Sequence, residues 1–283
     1  MTNKLLFFFL LAFIFSCNSD EDPQLEAPLP ELELTNISYG TGERQQLDIY
    51  LPAGRNLNNT PLILYIHGGA WIDGSKEEFL PFASGMDILF PGYAYASMNY
   101  SLFDITTMDY PFPAQENDLI SAIEFVDDMR SEWDVDGDLI LVGASAGGHL
   151  ALLHAYKHQA IGNIKSVVAF FPPTDLSEFF TYNQPTSFLL SGLVGGTPES
   201  NPTGFHESSP IRHVTGSSIP TIFFHGELDD VVPLSQSQLL EKALQDNGVT
   251  YQFQVVPGQG HGFTADTYPA LLAMAAQFIK ENQ

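Results

Sequence analysis

Cysteine is nearly absent from this chain: one residue, Cys17, in 283. Without a second thiol there is no intramolecular disulfide, and a cysteine-built metal cluster is excluded with it. Positive charge is scarce too, with 10 Lys and Arg against 34 Asp and Glu and a formal charge of −24. Such a surface repels phosphate backbones and anionic headgroups, which argues against a nucleic-acid partner. No apolar run reaches the ~20 residues that span a bilayer. The longest, Leu5 to Phe15, is eleven residues, and no internal repeat is present. What remains is 44% apolar and 12% aromatic, enough for one large domain with a substantial core.

The first residues read as a leader and not as part of the fold. Lys4, the apolar run and the small Ser16 match a secretory signal over residues 1–16. The order Ile14-Phe-Ser-Cys17 resembles the lipobox of bacterial lipoproteins, which implies that Cys17 becomes the acylated first residue of an exported, membrane-anchored protein. Asn18-Ser-Asp-Glu-Asp22 is similar to the acidic export signal of surface lipoproteins of the Bacteroidetes type, pointing to the outer membrane and the cell surface. Residues 17–33, acidic and proline-rich, read as a tether, with the domain over 34–283.

Within that domain, elements alternate. Gln46–Leu51, Pro61–Ile66, Tyr93–Tyr100, Leu139–Val142, Ser166–Phe171, Thr221–Phe224 and Tyr251–Val256 read as strands. Glu116–Arg130 and Tyr268–Lys280 carry helical apolar stripes, and Ser235 with Gln238 suggests a capping box at another helix start, closed by Gly248. Strands alternating with helices predict an α/β fold with a doubly wound, mostly parallel sheet.

The apolar strand ending at Val142 runs into Gly143-Ala-Ser145-Ala-Gly147 and then a helical pattern. A serine on such a turn occupies a crowded backbone conformation, which requires neighbours nearly free of side chain. Two more strand ends carry polar signatures. His67-Gly-Gly-Ala70-Trp71 offers backbone N–H groups for a developing oxyanion, and His225-Gly-Glu-Leu-Asp229-Asp230 offers a carboxylate to orient an imidazole. Val256-Pro-Gly-Gln-Gly-His261-Gly-Phe263 puts a histidine in a glycine-bounded loop, as a general base. Charge alone leaves Asp229 and Asp230 equivalent.

The order Ser145, acid, His261 is that of the α/β-hydrolase superfamily, and residues from Leu47 to Phe278 resemble its esterase/lipase group with a His-Gly-Gly oxyanion motif. Gly195-Gly-Thr-Pro198 and Ser209-Pro210 are similar to carbohydrate-ester and feruloyl-esterase-like members. The resemblance implies a serine carboxylic ester hydrolase with no cofactor, acting on a small-molecule or glycan ester. It assigns the acid to Asp229 and the oxyanion donors to the N–H groups of Gly69, Ala70 and Ala146. Two departures stand out: Ala70 replaces the third glycine, and Asn99-Tyr100-Ser101-Leu102 replaces the common Asp-Tyr-Arg-Leu, removing an arginine from a structural charge pair.

His154 and His158 are one helical turn apart, with His149 on the same helix, but no carboxylate or cysteine completes a metal site at suitable spacing. Trp71, Tyr100 and Phe263 adjoin the motifs and are candidates for the substrate pocket. Residues 172–216, rich in Gly, Pro and Ser, read as a small cap over the site that sets substrate choice. Two rival functions remain: a serine peptidase of the prolyl-oligopeptidase type, for whose propeller the chain is too short, and a surface lipoprotein that binds glycans without turnover.

Overall fold

The computed structural model describes residues 28–283. The leader, Cys17 and most of the acidic tether lie outside the described residues. Eight strands form one sheet: β1 (Leu32–Ser38), β2 (Gln46–Leu51), β3 (Leu62–Ile66), β4 (Ala94–Met98), β5 (Asp138–Ala144), β6 (Asn163–Phe170), β7 (Thr221–Gly226) and β8 (Tyr251–Val256). Their order is β1-β2-β4-β3-β5-β6-β7-β8, with β1 and β2 antiparallel to their neighbours and the rest parallel. β1 begins inside the stretch read as tether: Leu32 pairs with Leu51, and Pro30 accepts a hydrogen bond from Arg55. Its residues are mostly exposed, so its alternation carries no apolar signal.

The helices are α1 (Leu80–Leu89), α2 (Ala114–Trp133), α3 (Ala146–Lys157), α4 (Leu176–Phe179), α5 (Gln184–Val194), α6 (Pro202–Glu207), α7 (Ser235–Asp246) and α8 (Tyr268–Glu281). One sheet face packs Leu64, Leu141, Val167 and Phe223 against α2, α3, α7 and the inserted helices. The other packs Ile63, Ile140, Val168 and Phe224 against α1 and α8. Alternate residues of a strand serve opposite faces, so strands covered on both sides read as continuous apolar runs.

Two expectations change. The Ser235–Gln238 capping box does not form: Leu234 precedes the helix, and no side chain caps it. The buried Gln236 instead reaches the chain before α4, its Oε1 accepting from Thr174 N (2.8 Å) and Asp175 N (2.9 Å). Residues 172–216 fold as α4, α5, α6 and a 3-10 turn over Pro210–His213, and Leu176, Leu190, Leu193 and Phe205 bury into the α3 side of the core. The Gly195 and Ser209 blocks serve that packing: Gly195 ends α5 in the left-handed region, and Ser209 Oγ accepts from Leu176 N.

The chain leaves β3 for β4 on one side and then returns to place β5 on the other. Ligands of open parallel sheets bind at the carboxyl edge of such a switch point, and here that edge carries the His67 loop after β3 and Ser145 after β5.

Candidate active site

Ser145 sits between β5 and α3 with φ 53° and ψ −118°, a strained conformation for a residue with a side chain. The turn is tight enough that a Cβ on Gly147 would lie 2.0 Å from Ile66 O, and one on Gly143 would lie 2.3 Å from the Gly147 backbone. Glycine is therefore required at both positions, at 147 for the turn to dock against β3 and at 143 for α3 to start this close to β5.

The loops after β7 and β8 bring two further groups to this point. His261 Nε2 lies 3.0 Å from Ser145 Oγ, and its Nδ1 lies 2.8 Å from Asp229 Oδ2. A carboxylate accepts only, so Nδ1 carries the proton and Nε2 presents its lone pair to the serine hydroxyl. Asp229 Oδ1 accepts from the N–H groups of Val231 and Val232, each at 2.9 Å. Burial works against ionisation of Asp229. Hydrogen bonds from His225, His261 and the Val232 backbone outweigh it and hold the carboxyl well below the usual carboxylate range. Asp230 is exposed and takes no part in this arrangement; its carbonyl accepts from the Tyr182 hydroxyl.

Sequence reading gave His225 no role beyond its motif. It is fully buried, with Nε2 2.8 Å from Val232 O and 3.2 Å from Asp229 Oδ2, and Nδ1 2.7 Å from Ser237 Oγ. The carbonyl requires a protonated Nε2, so Nδ1 accepts from Ser237. The ring pins the Asp229 loop to α7.

The oxyanion candidates cluster as well. Gly68, Gly69 and Ala70 line the same cavity as Ser145 and His261, and Ala146 is the first residue of α3. Gly69, Ala70 and Trp71 all have positive φ (97°, 51° and 61°), and Gly69 O accepts from both Ile72 N and Asp73 N at 3.0 Å. Among the described residues, the N–H groups of Gly69, Ala70 and Ala146 donate to no protein acceptor. Behind the loop, the Tyr100 hydroxyl donates to His67 O and Gly68 O at 3.0 Å, and its ring stacks on His67 at 4.1 Å. Arg44, from the turn between β1 and β2, donates to Tyr100 O and Gly74 O, both at 2.8 Å. It braces this segment although the arginine expected next to Tyr100 is missing. Burial pushes the His67 imidazole down to about 4, so it stays neutral at physiological pH.

The aromatic candidates fare differently. Trp71 and Tyr100 are buried away from the cavity wall; Trp71 Nε1 donates to His149 Nδ1 at 3.3 Å. Phe263 stands behind the wall, edge-on to Phe171 at 5.3 Å. Phe171 itself lines the cavity against His261, its ring 4.6 Å away, and holds φ at 41°. No motif marks it. No residue of 172–216 lines the cavity, because that segment packs against α3 on the opposite face. Of the three histidines on and just after α3, His158 meets Glu116, His149 is buried between Trp71 and the Ser208 carbonyl, and His154 is buried against the Ile161 carbonyl.

Residues 47–244 match the model of the BD-FAE family. The chain belongs to the BD-FAE family. It is 30% identical over 250 residues to the esterase LipQ of Mycobacterium tuberculosis, covering 82% of this chain and 57% of LipQ, so this BD-FAE chain spans just over half of that relative. Among solved structures, the bifunctional GH43-CE protein of Bacteroides eggerthii superposes with a TM-score of 0.74 at 26% identity, covering 87% of this chain and 38% of that one. A truncated carbohydrate esterase from gut microbiota gives 0.73 at 24% identity, covering 88% and 96%. The BD-FAE chain has the α/β-hydrolase fold these neighbours share.

Proposed function

We propose that this chain is a serine carboxylic ester hydrolase in which Ser145 is the nucleophile, His261 the general base and acid, and Asp229 the group that orients the imidazole. One observation carries the reading: His261 bridges Ser145 Oγ at 3.0 Å and Asp229 Oδ2 at 2.8 Å, across 116 residues of chain from the serine. Esterase relatives such as LipQ support it.

In the proposed reaction, His261 Nε2 takes the Ser145 proton as Oγ attacks the ester carbonyl. The carbonyl oxygen becomes negative among the N–H groups of Gly69, Ala70 and Ala146, whose donors are free for it. The C–O bond to the alcohol breaks, His261 returns the proton to the leaving alkoxide, and an acyl-Ser145 ester remains. Water then repeats the sequence, with His261 again as base, to release the acid. Asp229 stays ionised and stabilises the imidazolium that forms twice per turnover.

The test is Ser145→Ala on p-nitrophenyl butyrate. A loss of at least about a thousandfold in kcat is expected; a variant retaining most of its turnover overturns the assignment. The proposal extends to export as a lipoprotein attached through Cys17, supported by the order of residues 4–17. Palmitate incorporation that persists in Cys17→Ser would refute that attachment.

A further inference from the structure

The cavity at Ser145 continues far below the reacting atoms. Its volume is about 640 Å³, and it runs between the sheet and helices α1 and α8. Ala144 and Val142 of β5 form its floor, followed by Ile63 of β3. Val142 and Ala144 lie on a central strand beneath helices, where packing ordinarily removes all exposure, yet both remain partly accessible. On the opposite face of the same strand, Leu139 and Leu141 are 4% and 0% exposed. The unfilled space therefore belongs to one face alone, and it opens at the nucleophile.

Its length follows from strand register. Val142, three residues before Ser145, is partly accessible, whereas Ile140, five before it, and its partner Ile63 are 0% and 1% exposed and close the far end. At ~3.3 Å per residue the open level lies about 10 Å below the serine and the closed one about 16 Å. A fully extended chain advances ~1.2 Å per bond, so the space takes at least roughly eight bonds and fewer than about thirteen. A closed chamber suits the half of an ester that stays on Ser145 while the alcohol leaves and water enters. Near the mouth the wall also carries Glu78, tied to Ser75 N at 3.3 Å, and its carboxylate disfavours an anionic acyl group.

We propose, on the basis of the hydrolase reading above, that the acyl group is a neutral, medium-length aliphatic chain of about eight to twelve carbons threaded between the sheet and α1 and α8. An acetyl group would leave most of the chamber empty, and a feruloyl group would fill only its upper part.

The test uses the full chain with p-nitrophenyl esters from acetate to palmitate, alongside methyl ferulate. Each methylene buried should raise kcat/KM by up to about fourfold. The maximum is expected between octanoate and dodecanoate, on the order of a hundredfold above butyrate, with palmitate lower. A flat profile, or preference for acetate or ferulate, overturns the proposal. Ala275→Phe, which puts a ring into the chamber from α8, should collapse the decanoate-to-butyrate ratio by at least about thirtyfold; an unchanged ratio in a folded variant counts against the threading. Should that variant misfold, the wild type still decides, because ethyl p-nitrophenyl decylphosphonate, which expels p-nitrophenolate as Ser145 Oγ attacks phosphorus, should inactivate the chain on the order of a hundredfold faster than ethyl p-nitrophenyl methylphosphonate, and equal rates refute the chamber. Acetate hydrolysis that needs Ser145 with no chain-length dependence removes this inference and leaves the hydrolase reading intact. If no ester shows Ser145-dependent hydrolysis, both fall.

Discussion

The two faces of the sheet are built from the same strands and filled differently. On the α2, α3 and α7 side the core is closed, with Leu64, Leu141, Val167, Ala151 and Phe223 all at 0% exposure. On the α1 and α8 side, Ile140, Ile222 and Phe224 are equally buried, but Val142 and Ala144 face open space beneath Ser145. The closed face holds the groups that must not move: His225 against Ser237 of α7, Tyr100 against the His67 loop, Trp71 against His149 of α3. The other face keeps room next to them. Under the proposed hydrolase reading, proximity catalysis needs fixed groups and a binding chamber needs volume that a perfect core would eliminate. Dividing these demands between two faces would let one sheet satisfy both.

The largest effect expected tests what the closed face holds in place. Asp229→Asn keeps the shape of the loop but removes the charge that orients and stabilises His261, so kcat should fall by about a thousandfold or more. Parity with the native chain on p-nitrophenyl butyrate would mean that His225 and the loop alone orient the ring.

Acid should next expose the closed face as the pH-sensitive one. Burial lowers the imidazoles of His67, His149 and His154 to about 4 each, against ~6.5 in the unfolded chain. Between those values the unfolded state binds more protons, so stability is complete above ~6.5 and is lost as the pH falls toward 4. A melting temperature at pH 5 lower than at pH 7 by about 5 to 10 °C is expected; calorimetry showing no drop would contradict the burial of these rings.

The smallest effect gives a like-for-like comparison. Val167→Ala on the closed face should cost about 2 kcal/mol in urea unfolding, from lost burial and the cavity left behind. Val142→Ala on the open face removes the same two methyls from a wall that already borders empty space, and should cost less than about 1 kcal/mol. Equal costs would show that the two faces are packed alike.

Much of the candidate site is legible in the sequence, and each legible part has a local cause. Ser145 was marked by glycines whose absence of side chain lets the turn dock against β3. The strands covered on both faces announced themselves as unbroken apolar runs, while β1, mostly exposed and beginning at the end of the stretch read as tether, carried no such signal. Arg44, His225 and Phe171 were not legible, because each acts through a neighbour distant in sequence: Arg44 on Tyr100 lies 56 positions away. Trp71 and Tyr100 misled in the opposite direction. They adjoin the motifs in sequence, but their rings turn into the closed core.

The sequence by itself determined the alternation of strands and helices, the identity of the turn at Ser145 and the residue types able to serve it, because these depend on local backbone conformation and short-range periodicity. It left Asp229 and Asp230 alike in charge, and the tertiary structure separates them by putting only Asp229 Oδ2 within 2.8 Å of His261. Only the tertiary structure, too, decided that residues 172–216 pack beside α3 and that the space below Ser145 lies under α1 and α8. A void has no residue of its own in the sequence; it exists where side chains from several separate elements fail to meet, and that is a property of their packing alone.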